Sequence, residues 1–233
     1  MLTENEKTQS PTSKVGRRSF LQWSGGTIVA GGLLASACND KKDDPAPPAG
    51  SVSLGSGDTG VLNYAYALEQ LEAAFYVAVV ANPSFATTFP DATERAYLTD
   101  IRDHEIAHRE FFKAALGASA IKGLTPNFTA IDFTSRTSVL ATAKAFEDLG
   151  VSAYNGAGKL FVNADYLVLA GKIVSVEARH AAYIRDRIQN GTFANTETID
   201  SNGLDKARTP SEVLAIAGAY IVDKLDASKL PTN

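Results

Sequence analysis

Apolar side chains recur three and four positions apart through four stretches, about residues 59–81, 92–116, 137–160 and 164–190. That spacing lays one apolar stripe along an α-helix, so each stretch is predicted to be a helix packed on the others. A short fifth helix is predicted at about 210–226. Prolines bound these stretches at Pro83, Pro90, Pro126 and Pro210, outside the helix interiors they would break. Asp91-x-x-Glu94 and Thr209-Pro210-Ser211-Glu212 have the form of helix-starting capping boxes, and Gly117 and Gly191 are natural stops. No alternating strand pattern competes. Gly117–Arg136 carries little helical pattern, and so long a connection between the second and third helices is unusual in a simple up-down bundle. The expectation is an all-α, four-helix bundle with one long crossover and a short fifth C-terminal helix.

The stripes are not apolar throughout. They read Leu62, Ala65, Glu69, Glu72, Tyr76, Val79 on the first helix and Leu98, Ile101, Glu105, His108, Phe112, Ala115 on the second. The third gives Leu140, Ala143, Glu147, Gly150, Tyr154, Ala157, Phe161, and the fourth Ala170, Ile173, Glu177, His180, Ile184. Each is apolar at both ends and polar or ionisable near its middle. A lone buried carboxylate loses several kcal/mol of hydration or takes up a proton. Several meeting at one depth repel one another unless cations sit among them. In Glu105-x-x-His108 and Glu177-x-x-His180 the three-residue spacing sets both side chains toward one pocket.

Composition narrows the chemistry. The 233 residues carry a formal net charge of −4, which excludes a general electrostatic hold on nucleic acid. One cysteine, Cys38, excludes an internal disulfide framework, a zinc-thiolate finger and a rubredoxin-type iron site. Oxygen and nitrogen ligands without thiolate suit two Fe or two Mn ions.

These motifs resemble the ferritin-like superfamily of di-iron or di-manganese carboxylate proteins. The resemblance is carried by Leu68-Glu69-Gln70-Leu71-Glu72-Ala73-Ala74-Phe75-Tyr76, Asp103-His104-Glu105-Ile106-Ala107-His108, Phe146-Glu147-Asp148-Leu149-Gly150 and Val176-Glu177-Ala178-Arg179-His180. More closely, the pattern is similar to exported ferritin-like domain proteins related to plant desiccation-associated proteins, over about residues 60–190. It implies Glu105 and Glu177 as bridging ligands, His108 and His180 as terminal ligands, and Glu147 as a terminal carboxylate. The first helix supplies Glu69 or Glu72. Glu69 is favoured by its place in the Leu-Glu motif, and Glu72 stays a ligand or a supporting group.

Other residues have plainer expectations. His104 lies one place off its stripe and is expected at the surface or beside the ligands, not among them. Tyr76 and Tyr154 are core tyrosines, or partners of a ligand carboxylate. Gly150 either leaves room for metal or oxidant or lets helices pack closely. Arg179, Arg185 and Arg187 are expected on a solvated face.

The N-terminus reads as an address. Gly16-Arg17-Arg18-Ser19-Phe20-Leu21, then an apolar run ending Leu34-Ala35-Ser36-Ala37-Cys38, resembles a twin-arginine export signal with a lipoprotein cleavage box. The alternative is a retained membrane anchor over Ser19–Ala37, a stretch without charge. Residues 38–57, charged then Pro- and Ser/Gly-rich, read as a disordered linker, 58–227 as the bundle and 228–233 as a tail. The expected product is a periplasmic or cell-envelope lipoprotein of a bacterium, tethered to the membrane through Cys38. O2, peroxide or Fe(II) are its expected small reactants, and oligomers are open to it. The alternatives are a metal-stabilised stress or binding module without turnover, and an iron store.

Overall fold

The computed structural model describes residues 50–232. The signal segment and Cys38 lie outside the described residues. The described chain runs β1 (Val52–Ser53), α1 (Gly57–Ala81), α2 (Phe85–Thr88), α3 (Ala92–Leu116), α4 (Arg136–Ala157), α5 (Ala164–Ile188), α6 (Pro210–Ala217) and β2 (Leu225–Asp226). The four long helices pack pairwise, α1 with α3 and α4 with α5, as a four-helix bundle with α6 as the short C-terminal helix. Among the described residues no helix is long and apolar enough to cross a membrane.

Local sequence explains most boundaries. The Asn163 side chain accepts from Asp165 N and opens α5, and Ser135 does the same for α4 by accepting from Ser138 N. Thr209 and Glu212 form the expected capping box on α6, with Pro210 in the first turn. Gly117 ends α3 at φ +53°, a conformation open to glycine. Asp91 caps α3 through Thr93 N, but Glu94 does not close a box with it. Glu94 is buried instead, receiving Nη2 and Nε of Arg136 at 2.5 and 3.0 Å and Nε of Arg187 at 3.1 Å. The ion pairs tie the start of α3 to the start of α4 and the end of α5.

The crossover is held by polar side chains of α1. Asn63 Nδ2 donates to Leu54 O and Ser119 O, while its Oδ1 accepts from Ile121 N. Gln70 Oε1 accepts from Leu124 N at 2.8 Å. Farther along, Phe128 and Phe133 pack their rings on Phe75, 6.0 Å between centroids in each pair.

The ends of the domain differ from the expectation. Val52–Ser53 pairs in parallel with Leu225–Asp226, and Leu54, in the stretch read as linker, is 0% exposed in the core. Helix α6 stops at Ala217, with a 3-10 turn to Tyr220, well short of residue 226. Leu230 of the expected tail is buried in the same core. Two-residue strands from distant parts of the chain leave no periodic signal.

Arg185 corrects the solvated-face expectation. It is 2% exposed and its guanidinium donates to Asp148 Oδ2, Asn195 Oδ1, Glu197 Oε2 and Thr192 O. The segment after α5 folds over it, so a residue that is polar by pattern becomes the buried pin of residues 192–197. Arg187 is half-buried on Glu94 and Asp91, and only Arg179 stays on the open face.

Candidate metal centre

The middle of the bundle gathers the ionisable residues of all four stripes. Glu69, Glu105, Glu147 and Glu177 are 0% exposed, Glu72 is 3% and His180 5%. His108 lies slightly nearer the surface, its side chain 13% exposed. Two groups of donor atoms converge there. Glu69, Glu105, His108 and Glu177 form one, and Glu105, Glu147, Glu177 and His180 the other. Within each group the donor atoms lie within 4.8 Å of one another, and Glu105 and Glu177 belong to both.

The layout has an approximate internal two-fold character. The pair α1/α3 supplies Glu69, Tyr76, Glu105 and His108, and the pair α4/α5 supplies Glu147, Tyr154, Glu177 and His180 at the same spacings. The tyrosines cross between the pairs. Tyr76 donates to Glu147 Oε1 at 2.5 Å, and Tyr154 donates to Glu69 Oε1. Each carboxylate is thus oriented by a phenol from the other half, so both tyrosines are core residues with satisfied hydroxyls and also partners of cluster carboxylates.

Symmetry breaks at two places. Glu72 of α1 corresponds to Gly150 of α4, and a Cβ at Gly150 would stand 2.9 Å from Glu72 Oε1. The space over Gly150 is therefore filled by the Glu72 carboxyl group, which belongs to neither four-residue group. Glu69, rather than Glu72, is the carboxylate that α1 contributes to the converging donors. His104 of α3, with Val176 at the corresponding place in α5, is exposed yet brings Nδ1 to 2.9 Å from His180 Nε2.

Electrostatics explain what the cluster lacks. His108 Nδ1 approaches Glu177 at 2.8 Å, Glu69 at 3.5 Å and Glu105 at 3.8 Å. His180 Nδ1 approaches Glu105 at 2.9 Å, Glu177 at 3.3 Å and Glu147 at 3.5 Å. Yet neither Nδ1 has a partner in hydrogen-bond geometry, nor has either carboxylate oxygen of Glu105 or Glu177, nor Oε2 of Glu69 or Glu147. The contacts are short but off-axis: the atoms converge on a common space more than on each other.

Protonation follows from burial and proximity. Burial pushes Glu105 up to about 8, aided by the Glu177 charge and opposed by the histidines. It raises Glu147 to about 6 against the pull of His180, and it raises Glu69 as well. Glu72 is raised well above the carboxylate range by burial, then by the charges of Glu105, Glu177, Glu69 and Glu147. Burial works against charge on the imidazoles, but the surrounding carboxylates win: His108 rises to about 12 and His180 rises further. For Glu177 the two histidines also overcome burial and hold it down to about 2. Without cations, protons shared between carboxylates and imidazoles neutralise the site.

Such a donor set fits metal. Buried carboxylate oxygens and imidazole nitrogens without directed partners are what a divalent cation coordinates, and the set is all oxygen and nitrogen. Each group of four suffices for one ion, and the two shared carboxylates make a paired arrangement possible. A helical bundle with one such centre between its two helix pairs defines a class, the carboxylate-histidine bundle proteins. Residues 57–190 match the ferritin-like domain family, and the chain belongs to that family. Among curated proteins none matches the chain.

Proposed function

We propose that the bundle holds two Fe or two Mn ions. Glu69, Glu105, His108 and Glu177 serve one ion, Glu105, Glu147, Glu177 and His180 the other, and Glu105 and Glu177 are shared. The two converging donor groups carry this reading. When bound, the ions supply one-electron redox chemistry toward O2, peroxide or added Fe(II). The chain's own part is to orient Glu147 and Glu69 through Tyr76 and Tyr154 and to keep bulk water from four fully buried carboxylates. An apolar crevice lined by Leu68, Phe112, Ala153 and Tyr154 borders the site on the Glu69 side and suits a small apolar reactant such as O2. Elemental analysis of metal-supplemented protein tests the reading, and fewer than about two ions per chain refutes it.

Turnover separates an oxidoreductase from a metal-stabilised stress module or an iron store. The stabilising role is favoured by a cluster that burial alone makes costly. O2-dependent Fe(II) oxidation or peroxide loss above free metal supports the enzyme. A large rise in melting temperature without turnover supports the structural role, and light scattering from a large shell supports storage.

The same proposal places the domain outside the cytoplasm, tethered through Cys38, on the strength of the Arg17-Arg18 motif and the apolar run after it. Arg17→Lys with Arg18→Lys is expected to strand the precursor inside the cell. Its normal export removes this part of the proposal.

A further inference from the structure

We infer that His104 is a positioning residue that locks the His180 ring and makes the two halves of the metal centre unequal. The inference rests on the metal-centre reading above and concerns a residue outside both donor groups.

The geometry is specific. His180 presents Nδ1 to Glu105, Glu177 and Glu147, and turns Nε2 to His104 Nδ1 at 2.9 Å. The two ring planes lie within 7° of each other with centroids 5.2 Å apart. That separation is the N···N distance plus the two ring radii, so the imidazoles lie edge to edge in nearly one plane. Ring N–H bonds and ring lone pairs both point in that plane, and the contact is aligned for a hydrogen bond.

Its direction follows from the chemistry of imidazole. A metal ion on Nδ1 takes the lone pair there, so the neutral His180 ring carries its proton on Nε2. That N–H donates to His104 Nδ1, and His104 keeps its own proton on Nε2. Rotating His180 by half a turn about its ring axis would break this bond and withdraw Nδ1 from the carboxylates. Outer partners of this kind fix the tautomer and orientation of a ligating imidazole.

The other half lacks the device. The residue preceding Glu177, as His104 precedes Glu105, is Val176, which offers no acceptor to His108. Every other element of the cluster except Glu72/Gly150 is repeated between the halves, so His104 bears on one ion and not on its neighbour. Because His104 is exposed, it can be replaced without opening the core.

The test compares the wild-type protein with His104→Leu and His104→Asn, using Mn(II) as the probe. Asn places an acceptor oxygen near where Nδ1 stands, whereas Leu offers none. Crystals with one equivalent of Mn(II) report occupancy in each half by anomalous scattering, and solution titration reports the two affinities. His104→Leu is expected to weaken the Glu105/Glu147/Glu177/His180 half by about 10–100-fold and to shift occupancy toward the His108 half, with His104→Asn close to wild type. Unchanged occupancies and affinities in His104→Leu, or equal weakening of both halves, overturn the inference. Absence of Mn(II) from both halves of the wild type overturns the metal centre itself, a separate and recognisable failure.

Discussion

Loading the centre with metal should expel protons, and their number follows from the structure. At pH 7 the metal-free protein holds a proton on each of His108 and His180 beyond the neutral imidazole, because the surrounding carboxylates outweigh burial. Glu105, pushed up to about 8, holds most of a third, whereas Glu147 at about 6 and Glu177 at about 2 are largely ionised. Metal takes the lone pairs that those protons occupy, so binding two ions should release the two imidazole protons and, in addition, those held by the raised Glu105 and Glu69, at least about two per chain. The combined affinity should then rise at least about a hundredfold per pH unit near neutrality, equivalent to about 3 kcal/mol. Calorimetric titration of metal-free protein with Mn(II), in buffers of different ionisation enthalpy, counts the protons directly. Release of fewer than about one proton, with affinity flat between about pH 6 and 8, would refute this account.

The metal-free fold should respond to pH with the opposite sign. Groups with raised folded values keep protons that the unfolded chain sheds above 4.5 for glutamate and 6.5 for histidine, so stability falls from about pH 4.5 to 8 through Glu105 and from about 6.5 to 12 through His108. Glu177 acts oppositely, losing its contribution as pH drops from 4.5 toward 2, and denaturant titrations across pH read both limbs. Tyr76→Phe and Tyr154→Phe each leave a buried carboxylate oxygen without its donor and should cost about 1–3 kcal/mol in the metal-free protein, measured by urea unfolding. Gly156→Ala should be severely destabilising despite better helix propensity, because its Cβ would stand 1.8 Å from the Arg208 carbonyl oxygen; normal folding in a melt would contradict the packing of residue 208 on α4. Arg185→Leu takes the guanidinium from Asp148, Asn195 and Thr192 and leaves Glu197 with Lys144 alone, so the melting temperature should fall, with new protease cleavage within residues 189–208.

Much of the site was legible before any coordinates. Glu69, Glu72, Glu105, His108, Glu147, Glu177 and His180 stand out because a carboxylate or imidazole in an apolar helical stripe needs a compensating partner, and the period says which side chains share a face, though it does not choose between Glu69 and Glu72. The four long helices were legible for the same reason, their observed limits departing by a few residues at most. Arg185 and Glu94 were not. Both look like surface charges in their own helices, and only the chain that returns over Arg185, and the arginines from α4 and α5 that reach Glu94, explain their burial.

Sequence alone, then, determined the helices, the depth at which charge collects and the residues that collect there, because periodicity and the cost of burying charge are local arithmetic. Tertiary structure decided how those residues divide into two groups sharing Glu105 and Glu177, and that Glu72 lies over Gly150 outside both. It also aligned His104 with His180 and closed the domain by pairing residues 52–53 with 225–226. Those outcomes depend on which side chains from separate helices arrive at the same point, and no spacing within one segment encodes that meeting.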